Sequence, residues 1–154
     1  MTIRLGLARR ADISTIADMA ACWIEAGLPH TWDERRIARS LADPECVVLV
    51  ARSKRRVVGF AVMQFFDRHA HLNLLAVAPG YRRRGIGRAL LEWLEASART
   101  AGTFVLRLEL RAGNGAAREF YRRFGFQDAG VKPGYYAGRE DALRMVRDLA
   151  VAVT

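Results

Sequence analysis

The sequence predicts an α/β fold: a mixed, mostly antiparallel sheet flanked by helices, with a central parallel strand–helix–strand crossover. Three observations carry this. Cys46 to Ala51, Val57 to Phe66 and His69 to Val77 are strand-like apolar runs joined by short polar loops, the pattern of an antiparallel meander. A helix from about Gly87 to Arg99 then separates the apolar run Leu72 to Val77 from another strand, Phe104 to Leu110, and such a passage closes as a right-handed parallel crossover. Last, Phe126 to Val131 and Asp141 to Asp148 can pair as a hairpin around Pro133-Gly-Tyr-Tyr-Ala-Gly138.

The other elements follow in order. Ile3 to Ala8 alternates like a short strand. Asp12 is placed to cap a helix whose apolar side is Ile13, Ile16, Ala20 and Trp23, and Gly27-Leu28-Pro29 stops it. Thr31-x-x-Glu34 has the form of a capping box for a second helix through Ile37 and Leu41, which Asp43-Pro44 ends. Asn114 to Phe124 reads as a helix with Gly125 at its C-terminal cap. The order is β-α-α-β-β-β-α-β-α-β-β, in a single domain over residues 1–154.

A chain of 154 residues with a hydrophobic share of 51% can bury one proper core. No apolar run reaches about 18 residues, so no membrane span is expected. The first ten residues lack the apolar segment of a signal peptide, and a soluble cytoplasmic protein is the expectation. The net charge of +9 is almost all arginine, with Lys54 and Lys132 as the lysines. Arginine forks suit phosphates. The surplus permits an anionic partner such as a ribosome, but no aromatic-interleaved basic stripe points to direct nucleic-acid binding. Cys22 and Cys46 share no metal-ligand spacing and read as buried, inert thiols. His69 and His71 alternate along a strand and so share a face, where a surface or rim role is expected.

The passage from Leu72 to Leu91 carries the most chemistry. A strand runs into a turn at Pro79-Gly80; Arg82, Arg83 and Arg84 follow, then Gly85-Ile86-Gly87, then a helix that includes Arg88. A helix start carries unpaired N–H groups and about half a positive charge. Glycines let an anion approach that backbone closely. This is a site for a polyphosphate. A Walker loop would end in Gly-Lys-Ser/Thr, which is absent. A Rossmann loop would put a third glycine where Leu90 stands.

The pattern Arg82-x-x-Gly85-x-Gly87 resembles the pyrophosphate arm of the GNAT superfamily of N-acetyltransferases. Leu108-Glu-Leu-Arg-Ala-Gly-Asn114, Phe120-Tyr-Arg-Arg-Phe-Gly-Phe126 and Tyr135-Tyr136 before Gly138-Arg-Glu-Asp-Ala142 extend the resemblance. Within the superfamily they are most similar to the bacterial ribosomal-protein-alanine, that is protein N-terminal, acetyltransferases. The resemblance implies the GNAT fold, acetyl-CoA as co-substrate, no metal, and direct acetyl transfer to an amine. The implied acceptor is the α-amine of a protein N-terminus, possible acceptors including a ribosomal protein. It assigns the cofactor to Leu75, Ala76, Val77, Arg82, Arg83, Arg84, Gly85, Ile86, Gly87, Arg88, Asn114 and Tyr121. It makes Glu109 the base and Tyr121 the acid, and gives Trp32, Tyr135 and Tyr136 to the substrate. There are departures: Leu72-Asn-Leu-Leu75 stands where the group has Leu-Phe-Asn-Ile, which moves the asparagine to the other face of the strand.

Acetyl transfer requires an amine without its extra proton. An α-amino group titrates near about 7.7–8.0 and a lysine amine near about 10.4, so the former is far more often nucleophilic at neutral pH. A carboxylate can assist it, and a phenol can protonate the leaving thiolate. Each residue also has a structural reading: Glu109 as a partner of Arg107 or Arg111, Tyr121 as core, Asn114 as a helix cap, Tyr135 and Tyr136 as hairpin packing. At the level of function, two alternatives stand beside the first: a GNAT acting on a small-molecule amine, and a non-catalytic CoA-binding module.

Overall fold

The computed structural model describes residues 2–150. Along the chain come β1 (Ile3–Leu7), α1 (Ile13–Met19), α2 (Glu34–Ala42), β2 (Cys46–Ser53), β3 (Arg56–Phe65) and β4 (His69–Val77). Then follow α3 (Ile86–Thr100), β5 (Val105–Arg111), α4 (Gly115–Arg123), β6 (Gln127–Tyr136) and β7 (Glu140–Asp148). This is the expected order. The strands hydrogen-bond in the sequence β1-β2-β3-β4-β5-β7-β6. The β4–β5 pair is parallel, and β1–β2, β2–β3, β5–β7 and β6–β7 are antiparallel. Among the described residues no helix is long and apolar enough to cross a membrane.

The chain divides into two compact units: one runs to Gln64 and takes in Asn73–Ala96, the other comprises Phe65–Leu72 and the chain from Ser97 onward. In the first, Ile16, Ala20, Ile37, Val48, Val50, Phe60, Val62 and Leu74 make one buried cluster. Val57 to Met63 is buried without alternation, as in a strand covered on both faces. Gly59 marks a close approach: a Cβ there would meet the Ala76 carbonyl oxygen at 3.2 Å and Ile86 Cγ2 at 3.3 Å. The absent side chain seats the first turn of α3 tightly on the sheet.

Two helix starts differ from expectation. Asp12 makes no cap to α1, because a 3-10 turn over Arg10–Asp12 precedes the helix. Its carboxylate instead accepts from the Arg9 backbone N–H at 2.8 Å and from the Arg52 guanidinium at 3.0 and 2.5 Å. Burial pushes the Asp12 carboxyl up, and the hydrogen bonds from Arg52 and Arg9 outweigh it and hold it below its ordinary value. Removing one member of a buried pair strands the other charge. Asp12→Ala is therefore expected to cost about 3 kcal/mol in urea unfolding near pH 7. Because the folded-state value is the lower one, the wild type holds this stabilisation above about pH 4 and loses it as pH falls through the folded value, narrowing its gap to the mutant. At α2 the cap is Asp33, which accepts from the Arg36 N–H at 2.9 Å; Thr31 bonds elsewhere.

Beyond Met19, α1 continues as a π turn over Ala20–Ile24, closed by the Glu25 N–H on the Ala20 carbonyl at 2.8 Å. Gly27, at φ 75°, follows. Cys22 is exposed rather than buried, because the π turn presents it to solvent. Cys46 is half-buried, and burial with the neighbouring Asp43 pushes its thiol up to about 11.

In the second unit Leu106, Leu108 and Leu110 turn one face of β5 inward, with Met145 opposite Leu108. Gly125, at φ 99°, ends α4 as expected, and the Phe126 N–H returns to the Tyr121 carbonyl at 3.0 Å. The last hairpin is longer than the sequence suggests. Tyr135 and Tyr136 lie at the end of β6 rather than in a loop. Pro133 and the glycines beside it signal a break, but β6 is an edge strand and absorbs them as register shifts between Asp128 and Val131 and between Lys132 and Tyr136.

Candidate functional site

Strand β4, whose residues from Asn73 belong to the first unit, alternates strictly: Leu72, Leu74 and Ala76 are buried, while His71, Asn73, Leu75 and Val77 share the other, half-buried face. A 3-10 turn at Pro79–Tyr81 leads to exposed Arg82, Arg83 and Arg84. Arg82 Nε donates to the Val77 carbonyl at 3.0 Å, fixing the arm to the strand end. Arg83 at φ 61° and Gly85 at φ 79° turn the chain into α3. Ile86, the first residue of α3, is buried, and Gly87 follows it in the first turn. Arg84 lies 5.4 Å over the Tyr81 ring, and Arg88 pairs with Glu92 at 3.4 Å on the exposed side. Glycines and exposed arginines meet at the start of a 15-residue helix. That is a good fit for a diphosphate.

Trp32 belongs to the same unit. Its backbone N–H donates to Glu25 Oε1 at 3.0 Å, and Thr31 gives its N–H and hydroxyl to Glu25 Oε2 at 2.9 and 2.6 Å. The buried Glu25 carboxylate thus anchors the segment before α2. The Arg36 guanidinium covers the indole at 3.7 Å. Nothing in the local sequence pattern marks Glu25, because its partners lie six and seven residues on, across a turn.

In the second unit Arg107, Glu109 and Arg111 form the outward face of β5, opposite the buried leucines. Glu109 is half-buried. Oε2 meets His71 Nε2 of β4, and Oε1 lies 3.5 Å from Arg144 Nε of β7. Register explains both contacts. Arg144 is directly across the ladder from Glu109, whereas His71 stands opposite Arg107 and reaches diagonally along the same face. The His71 hydrogen bond, then the charges of Arg144 and Lys132, hold the Glu109 carboxyl below its ordinary value against the opposing effect of burial. Arg111 Nε donates to Glu140 Oε1 at 2.7 Å. The expected rim role survives for His69, stacked on Phe66 at 4.7 Å, but not for His71.

Tyr121 on α4 is 8% exposed, edge-on to Phe120 and Phe126 at 5.1 and 5.5 Å. Burial pushes its phenol up, so it stays protonated across the neutral range. Asn114 caps α4, accepting from the Ala117 N–H at 3.1 Å. Tyr135 and Tyr136 meet edge to face at 5.0 Å, with Lys132 Nζ 5.1 Å over the Tyr135 ring. Tyr135 is exposed and Tyr136 half-buried. Burial, then Tyr135 and Glu109, push the Tyr136 phenol up, which places it within the field of Glu109. Among the described residues no His, Cys, Asp and Glu cluster could hold a metal ion.

Comparison with known proteins adds three findings. A family model described as Acetyltransferase (GNAT) family matches residues 14–126. The chain is 33% identical over 145 residues to the [ribosomal protein bS18]-alanine N-acetyltransferase of Salmonella typhimurium, covering 91% of this chain and 97% of that one. It is 34% identical over 151 residues to N-alpha-acetyltransferase RimI of Mycobacterium tuberculosis, covering 95% and 92%. Among solved structures, the ribosomal-protein-S18-alanine N-acetyltransferase of Escherichia coli superposes with a TM-score of 0.83 at 29% identity, covering 99% of this chain and 97% of that one.

Proposed function

This chain belongs to the acetyltransferase (GNAT) family, and we propose that it acts as a single domain over residues 1–154 to acetylate the α-amine of a protein N-terminus. It is an N-acetyltransferase and uses acetyl-CoA. When bound, acetyl-CoA supplies the acetyl group as a thioester. Arg82 to Arg88 and the N-terminus of α3 take the diphosphate; Leu75, Ala76 and Val77 offer backbone to the pantetheine arm; in the second unit, Asn114 and Tyr121 are the residues assigned to the cofactor. Glu109 receives the acceptor ammonium and assists the loss of its proton. Tyr121 protonates the departing sulfur. Trp32, Tyr135 and Tyr136 border the acceptor.

One observation carries the reading: two groups of one unit are tuned apart, Glu109 kept ionised on the open face of β5 and Tyr121 kept protonated on α4. Such a pair supplies the base side and the acid side of one transfer. The names of the relatives support an N-terminal alanine and a ribosomal protein as acceptor. The test is a peptide panel with the acetylated nitrogen located by mass spectrometry. Peptides with a free N-terminal Ala are expected to react much faster than the same peptides with a blocked N-terminus and a lysine. Acetylation of spermidine or free lysine, with none on any N-terminal peptide, overturns the N-terminal acceptor and leaves the acetyltransferase.

A further inference from the structure

Glu109 stands among cations of its own unit. Arg144 is its direct partner across the β5–β7 ladder, with Nε 3.5 Å from Oε1. Lys132 of β6 stands opposite Ala142, two residues along β7 from Arg144, and so projects from the same face. Arg107, two residues along β5 from Glu109, is exposed on that face too. Two other carboxylates share the face. Glu140 accepts from Arg111 at 2.7 Å, and Asp148 lies four residues along β7 from Arg144. A positive surplus therefore surrounds Glu109, and its carboxyl registers the charges of both Arg144 and Lys132. The Arg144 side chain is 43% exposed and that of Glu109 12%, so a group reaching the carboxylate from solvent passes the guanidinium. Among the described residues that guanidinium pairs with Glu109 alone.

An α-ammonium approaching Glu109 adds one more positive charge to this surplus. Attraction to a single carboxylate is then opposed by the cations beside it. The balance changes when the acceptor carries its own carboxylate close behind the amine. Consecutive Cα atoms are about 3.8 Å apart, and neighbouring antiparallel strands about 5 Å, so the second and third residues lie within side-chain reach of the strand beside β5. A guanidinium takes a carboxylate through two parallel N–H donors. We propose that Arg144 and Lys132 select acceptors with Asp or Glu at the second or third position and disfavour those with Lys or Arg there. The inference rests on the reading that Glu109 receives the acceptor α-amine, and it adds the class of acceptor to that reading. Repulsion of the basic acceptor contributes to the discrimination alongside attraction of the acidic one.

The test compares three peptides that differ in their second and third residues alone: Ala-Asp-Glu, its neutral isostere Ala-Asn-Gln, and Ala-Lys-Arg. In the wild type kcat/KM is expected to fall in that order, by roughly tenfold or more from first to last, mainly through KM and less at high salt. Arg144→Gln and Lys132→Gln are each expected to narrow the spread, and the double substitution to remove it. A wild type without the preference overturns the proposal. So does a spread that survives the double substitution while all three peptides slow in parallel, the result expected of residues that act on Glu109 and not on the acceptor. If no N-terminal peptide is acetylated, the acceptor reading falls. Calorimetric titration of Ala-Asp-Glu and Ala-Asn-Gln at low salt then decides the charge preference: tighter acidic binding that the double substitution removes sustains it, and equal affinities overturn it.

Discussion

Tyr121→Phe is expected to lower kcat by roughly 10²-fold or more and to leave acetyl-CoA affinity near wild type. The substitution removes one oxygen and little volume, and the edge-on contacts to Phe120 and Phe126 remain available to a phenyl ring. What disappears is the donor to the leaving sulfur. A cysteine-type thiolate takes its proton near about 8.5, so an unassisted departure near pH 7 expels an anion. Since burial keeps the phenol protonated, its contribution is present across the neutral range and the loss should not vary with pH there. Steady-state kinetics and calorimetric titration with acetyl-CoA decide it. A mutant with near-wild-type kcat makes Tyr121 a packing residue.

Gly87→Glu should abolish cofactor binding with the fold intact. A carboxylate in the first turn of α3 favours the helix itself, because it answers the positive end of the dipole. The same charge opposes a diphosphate at that end, and the side chain fills the space of its approach. A loss of affinity on the order of 100-fold or more, at least about 2.7 kcal/mol, is expected in calorimetry, with an unchanged circular-dichroism melt. Unchanged affinity in a folded mutant removes the anion site from the Gly85–Gly87 turn.

These predictions draw on the part of the protein most legible in the sequence. The anion arm is contiguous, so arginines, glycines and helix start can be recognised without knowing the fold. The order of elements was legible for a similar reason, since apolar periodicity and turn residues are local. The surroundings of Glu109 were not. His71 and Glu109 are 38 residues apart, and the alternation of His69 and His71 tells only which face they share. Their meeting depends on the parallel register that sets His71 opposite Arg107. Asp12 escaped in the same way, its partner Arg52 lying 40 residues on. At α2 the difficulty was competition: Thr31 and Asp33 both have cap chemistry, and Glu25 engages the first. Tyr135 and Tyr136 were assigned to a loop because Pro133 is a strong breaker in a central strand and a weak one at an edge.

The π turn at Ala20–Ile24 changes the angular phase of its helix. One added residue rotates everything beyond it by about 100° around the axis. Ile16 and Ala20, ahead of the step, stay in the core. Glu25, just past it, comes round to meet Thr31 and Trp32. Removing a single residue from this stretch would restore smooth helical geometry and swing the carboxylate away from Thr31 and Trp32. The position of the Trp32 segment is therefore exposed to insertion and deletion as well as to substitution. A lineage could retune it here by insertion or deletion, without one substitution among the side chains that do the chemistry.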